Sequence, residues 1–254
     1  MDTLSLQDAV VVCAAIAAMY SHAMSMLRAL VLAVCVGVAC LGVARPAGAA
    51  NIRGVVVITG AVVPKKLPVT IDQYICGKET AAEDLVVSPQ GRVKNVVVWL
   101  QTPPPGAAWP SAPVKVDMDQ KGCVFAPRVV LVPAGGTVEF LNSDRLLHNL
   151  HSASHTNPTF NRTQPRGRVI PVTFSKPEIV QVNCDLHSWM RSWVVVADHP
   201  FYALSNEAGE FVLSNVPPGK YVLQIWQETL GTSSREVSVG AEDARVTVEL
   251  KAPR

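Results

Sequence analysis

Asn183-Cys184-Asp185-Leu186-His187-Ser188-Trp189-Met190 carries a thiol, an imidazole and a thioether at successive intervals of three residues. Ahead of it, Ile179-Val180-Gln181-Val182 has the composition of a strand, and behind it Trp193-Val194-Val195-Val196 reads as another. A tight loop between two strands therefore holds three soft or borderline donors. Such a set suits copper, which takes a thiolate, imidazole nitrogen and often a weak axial thioether. A second His must come from elsewhere in the chain, and His148 is the candidate.

Outward from this loop the sequence keeps to strand patterns. Thr137-Val138-Glu139-Phe140-Leu141-Asn142 alternates with Val138 and Phe140 on one face, and Val114 to Met118 alternates in the same way. Val129 to Val132 is a continuous apolar strand, closed by the turn Pro133-Ala134-Gly135-Gly136. Ser143 to Pro158 is polar, loop-like and rich in His; Val169 to Phe174 is a further strand. Toward the N-terminus, Ile52 to Val63 and Val93 to Leu100 are β-branched strand material. Breaks fall at Pro64 to Pro68 and at Thr102 to Pro113, a stretch with five prolines, which cannot donate to a ladder. Beyond Asp198, Phe211 to Val216 and Tyr221 to Ile225 flank Pro217-Pro218-Gly219, the pattern of a hairpin. Val237 to Val239 and Val246 to Leu250 close the chain. No segment after residue 50 has helical periodicity, so the expected class is all-β.

Phe140-Leu141-Asn142-Ser143-Asp144-Arg145-Leu146-Leu147-His148-Asn149-Leu150-His151, taken with Cys184-x-x-His187-x-x-Met190, resembles the cupredoxin family of blue copper proteins, in its amicyanin-like form with a short ligand loop. The resemblance covers roughly residues 113–197 and implies a Greek-key β-sandwich. Carried over position by position, it implies His148 as first ligand, Cys184 as thiolate, His187 as second imidazole and Met190 as weak axial donor. His151 matches a non-ligand, and His155 and His22 are read likewise, with an auxiliary site at His151 and His155 as the alternative. His199 is read as capping a strand end. The sequence departs from the family in having Lys176-Pro177-Glu178-Ile179 before the cysteine strand, and in Cys123 and Trp193. One copper ion, cycling between Cu(I) and Cu(II), would make the chain a carrier of single electrons for a redox protein such as a cytochrome c or a dehydrogenase. In the family the second His reaches the surface, so Leu186 and Trp189, with Trp193 beside them, are expected to form a docking patch. An exposed His187 would also be free to protonate and leave Cu(I) in acid.

Each donor alone has a plainer reading: Cys184 as a buried thiol, either His as a surface residue, Met190 as core filler. It is the combination that points to a metal. Zinc competes, but more often takes a second Cys or a carboxylate than a Met. A copper-delivery protein without an electron-transfer partner is the alternative function, and a structural module with a vestigial site is a third.

The ends of this region carry a second resemblance. Gly209-x-Phe211-x-Leu213-x-x-Val216-Pro217-Pro218-Gly219-x-Tyr221-x-Leu223 resembles the carboxypeptidase regulatory-like, or transthyretin-like, β-sandwich, and Arg53 to Val57 with Lys94 to Leu100 fit its first half. The expected division is therefore residues 51–112 and 198–254 as one discontinuous sandwich, with 113–197 inserted. The plainer alternative is an N-terminal extension and a separate C-terminal module. No catalytic triad, phosphate loop or paired-carboxylate pattern occurs, so no enzyme is expected.

Arg28, the apolar run Ala29 to Ala44 and Ala47-Gly48-Ala49 have the order of a cleaved export signal over residues 1–49, with Met24 and Met26 as alternative starts. Neither this run nor the one upstream, Ala9 to Tyr20, reaches the roughly 20 residues of a membrane span. The expectation is a periplasmic chain that meets the membrane only during export. Cleavage removes Cys13, Cys35 and Cys40 and leaves Cys76, Cys123 and Cys184, an odd number in an oxidising compartment. Sequence alone allows three pairings; Cys184 as a ligand leaves Cys76 with Cys123. A formal charge of only +2, with scattered Lys and Arg, speaks against nucleic acid. Asn161-Arg162-Thr163 fits a glycosylation triplet, a pattern common by chance.

Overall fold

Strands that bury alternate side chains, Gly136–Asn142 and Ala244–Lys251 among them, recur through this all-β chain. The computed structural model describes residues 48–109 and 114–253. The export signal expected over 1–49, with its cysteines and His22, lies outside them apart from Gly48 and Ala49. In chain order come β1 (Ala50–Thr59), β2 (Lys66–Pro68), the helical turn α1 (Gln73–Cys76), β3 (Glu79–Ala81) and β4 (Val97–Leu100). Then follow β5 (Lys115–Gln120), β6 (Phe125–Ala126), β7 (Val129–Pro133), β8 (Gly136–Asn142), β9 (His148–Ala153) and β10 (Asn161–Gln164). The chain continues through β11 (Ile170–Phe174), β12 (Glu178–Asn183), β13 (Arg191–Ala197), β14 (Tyr202–Leu204), β15 (Glu210–Val216), β16 (Gly219–Gln227), β17 (Gly231–Val239) and β18 (Ala244–Lys251).

Two sheets make the layer that holds the cysteine loop. One has the order β10-β9-β12-β13-β7, the other β11-β8-β5-β6. In β8 the inward side chains Val138, Phe140 and Asn142 are buried while Thr137, Glu139 and Leu141 are only partly so, the alternation expected of a sheet with one covered face. Met118, Phe140, Leu150, Phe174, Val180 and Val182 fill the space between the sheets. Each such side chain contributes about 1.5–3 kcal/mol on leaving water.

A second pair of sheets draws on both ends of the chain. β1 lies between β15 and β18, and β4 lies between β14 and β16, with β17 on the outer edge. Ile52, Val56, Val96, Val98, Leu100, Leu213, Leu223 and Ile225 form its core. Gly54 in β1 is required by close approach: a Cβ there would stand 2.2 Å from the Phe211 ring.

The unbroken Val194-Val195-Val196 run in β13 reflects burial on both faces. Val194 and Val196 enter the first core, whereas Val195 joins Val97 and Val129 in a small cluster against Trp99, Leu131, Tyr202 and Trp226. Trp193 packs edge-on to Trp226, ring centroids 5.0 Å apart. It therefore belongs to the seam between the two pairs of sheets and not to the expected docking collar. Arg128, ahead of β7, spans the same seam through a two-armed, nearly buried ion pair with Glu228.

The expected boundary at 112/113 does not separate the two cores cleanly. Val69 is buried in the core of the cysteine-loop sheets, with Leu67 and Cys76 packed against it. A disulfide between Cys76 and Cys123 fastens this N-terminal segment there. The single turn α1 also departs from a chain expected to lack helices. Four residues closed by hydrogen bonds onto Asp72 and Gln73 are too few to leave a periodic signal.

Candidate metal centre

The strand β9 and the loop from β12 to β13 converge because Gln181, Val182 and Asn183 pair with Ala153, Ser152 and His151. The register brings His148, the first residue of β9, alongside Cys184, which follows β12. Asn149 locks the approach, its side chain accepting from the Asp185 N–H (2.6 Å) and donating to the Asp185 carboxylate (3.1 Å). The loop after β12 closes on itself through Cys184 N–H to Met190 C=O and Met190 N–H to His187 C=O.

Among the described residues, His148, Cys184 and His187 are the one group of three or more His, Cys, Asp or Glu able to hold a metal ion, their donor atoms all within 4.8 Å of one another. The Cys184 sulfur is 3.9 Å from His148 Nδ1 and 3.5 Å from His187 Nδ1. The two Nδ1 atoms face each other at 3.0 Å. Both rings are fully buried and Cys184 nearly so. Met190 is buried at the end of the same loop. Cys184 is the free cysteine of the described region, and the Cys76–Cys123 bond is the pairing expected from sequence.

Each ring is held from behind by a carboxylate. His148 Nε2 meets Asp144 Oδ2 at 3.0 Å, and His187 Nε2 meets Asp72 Oδ2 at 3.1 Å. An ionised carboxylate only accepts, so each Nε2 carries the proton and each Nδ1 presents its lone pair to the centre. Burial holds the His148 imidazolium form down, with the hydrogen bond to Asp144 working in the opposite sense. Burial likewise pushes the Cys184 thiol up, while the backbone N–H groups of Asn149, His187 and Leu186 favour its anion. A metal would draw the proton off the sulfur altogether.

Three expectations need correction. His187 does not reach the surface: the turn carrying Asp72 lies over its outer nitrogen. The exposure on which its expected release in acid rested is therefore not found. Trp189 is also buried, packed beside the His187 ring (centroids 5.2 Å) with its indole N–H donating to the Cys123 carbonyl at 3.0 Å. Of the expected docking pair only Leu186 is exposed. His151 stands outside the centre and pairs with Asp185, and His199 links strand ends through the Leu100 carbonyl and the Phe201 N–H.

Asp72 and Asp144 are the contributors that sequence reading missed. Asp144 lies four residues before His148 and was within reach of a search for second partners. Asp72, 115 positions from His187, gave no such signal.

Beside the centre, Glu178 at the start of β12 gathers the polar loop after β9. It accepts from Ser154, from the N–H groups of His155, Thr156 and Asn157, and from the Thr156 hydroxyl and Asn157 amide. Burial opposes its charge, but these donors outweigh that and hold the carboxyl well below the usual range. Because the folded-state pKa is the lower one, the contribution is complete above the unfolded value near 4.5 and is lost as pH falls toward the folded value. Glu178→Gln should therefore lower the urea midpoint at pH 7 and lower it less at pH 3, where only part of the contribution has been lost. An equal deficit at both would show that the charge plays no part.

No protein-family model and no curated protein matches the chain. Among solved structures, the copper-containing nitrite reductase from Thermus scotoductus SA-01 is 26% identical, over 38% of this chain and 25% of the reductase, with a TM-score of 0.32. The chain thus matches about a quarter of that protein's length. A purple cupredoxin from Nitrosopumilus maritimus is 20% identical over 32% of this chain and 98% of its own, TM-score 0.29. A reduced amicyanin variant is 21% identical over 39% and 98%, TM-score 0.31. At these TM-scores the likeness assigns nothing by itself; what the centre can do rests on its own donors.

Proposed function

We propose that this chain is an exported, periplasmic type 1 copper protein that carries single electrons, with His148, Cys184 and His187 as main donors and Met190 as weak axial donor. One observation carries the reading. Two imidazoles, each committed at Nε2 to a carboxylate, turn bare Nδ1 lone pairs toward each other at 3.0 Å beside a buried thiol. Lone pairs repel unless a cation lies among them, and this donor set is the copper set. Bound copper supplies one-electron chemistry with little geometric change between its two oxidation states. The chain's part is to hold donors still, which it does from paired strands and outer carboxylates. Burial of both rings suits an electron, which needs no open path, better than a substrate, which does.

In this reading residues 113–197 are a copper domain inserted in a carboxypeptidase regulatory-like sandwich made of 51–112 and 198–254, from which the stretch around Leu67 to Cys76 crosses to pack on the copper domain. The partner is a periplasmic redox protein such as a cytochrome c or a dehydrogenase. Closure of the His187 edge by Asp72 favours a second reading, copper delivery, because the family's usual route to a partner is covered. One equivalent of Cu(II) should give the purified chain an intense blue or green band that ascorbate bleaches reversibly. A colourless chain that binds Cu(I) tightly would favour delivery; failure to bind either ion would end both readings.

A further inference from the structure

Both outer carboxylates of the centre lead to the same disulfide. The Gly122 and Cys123 N–H groups donate to the two oxygens of Asp144 at 2.7 and 2.9 Å, and Asp144 in turn holds His148. The Cys123 carbonyl accepts from Trp189, which packs on His187. Across the S–S bond, Cys76 ends the turn α1, whose first hydrogen bonds return to the Asp72 carbonyl. Asp72 and Cys123 both sit in the left-handed region, at φ 54° and 58°. That conformation costs an ordinary residue about 1–2 kcal/mol and persists only where its surroundings enforce it. Gln73 adds a further tie by donating to the Val69 carbonyl at 2.6 Å, and Val69 is buried in the core.

The geometry points to Asp72 as a positioning residue for His187, on a disulfide-tethered cap that closes the metal centre from outside the sheets. Its carboxylate fixes the ring so that Nδ1 faces inward, and the cap keeps solvent and competing ligands from the outer nitrogen. The segment 69–76 thus serves the centre although no ligand comes from it. A carboxylate in this position also favours the more highly charged oxidation state, so it holds the reduction potential down.

The inference rests on the copper reading for its affinity arm and is independent of it for its proton arm. Cu(II) affinity, measured by chelator competition on the full purified chain, should fall about 10- to 100-fold in Asp72→Ala. Asp72→Asn keeps a carbonyl oxygen for the ring N–H and removes the charge; it should lose less affinity and raise the potential. In the metal-free chain, NMR should show the His187 Nε2 proton protected from solvent exchange in the wild type, retained in Asp72→Asn and exchanging freely in Asp72→Ala. Wild-type affinity together with a protected proton in Asp72→Ala would overturn the inference. A wild type that takes no copper would sink the proposed function alone, and the proton measurement would still decide the cap.

Discussion

Cys184→Ser should give a folded chain with no intense visible band and greatly weakened Cu(II) binding. The sulfur lies 3.5 Å from one ring Nδ1 and 3.9 Å from the other, and among the described residues no second free thiol stands by to replace it. A serine hydroxyl is close in size but does not ionise at neutral pH and is a hard donor, so neither the charge-transfer colour nor the preference for copper survives. The change buries a hydroxyl where a weakly polar thiol was, at a cost of about 1–3 kcal/mol. The three backbone N–H groups around the sulfur remain available to a hydroxyl oxygen, which keeps that cost toward the lower end. Near-ultraviolet circular dichroism and a thermal melt of the metal-free variant should therefore stay close to wild type while the visible spectrum is lost. An intense band that persists in the variant would remove Cys184 from the centre.

How much of this was legible in sequence differs from element to element. Strands such as β8 and β18 bury alternate residues and declare themselves by period 2. The approach of His187 to Cys184 was readable because the two are local, and that of His148 because a second imidazole was sought and a His-rich segment followed an alternating strand. Counting left three disulfide pairings, and only the assignment of Cys184 to the centre chose Cys76 with Cys123. Exposure was less accessible. Leu186 and Trp189 are equally apolar neighbours of His187, yet one is open and the other is buried against Cys123. What separates them is the Cys123 loop and the His187 ring against which Trp189 packs, and that packing is a tertiary event. Ile71-Asp72-Gln73-Tyr74 carries no pattern that announces a carboxylate aimed at a ring 115 residues away. Nor does the Val194–Val196 run reveal that its second buried face meets another pair of sheets instead of an unbroken core.

Replacing both Cys76 and Cys123 by serine should destabilise the metal-free chain by about 4 kcal/mol, from the entropy regained by the unfolded loop. The two residues are 47 positions apart, which sets that figure. At roughly 2–4 °C per kcal/mol for a chain of this size, the thermal midpoint should fall by about 10 °C. Both cysteines must change together, since a single replacement would leave a second thiol in the core that already contains Cys184. The loss should not be confined to stability. The 122–123 loop that supports Asp144 and Trp189, and the turn that carries Asp72, would no longer be joined, so both imidazoles lose part of their backing at once. Copper affinity in the double variant should then fall at least as far as in Asp72→Ala, although every proposed ligand is still present. Unchanged melting would mean that core packing alone holds the segment in place. Lower melting with wild-type affinity would confine the bridge to folding, and the two carboxylates would then be held by the sheets themselves.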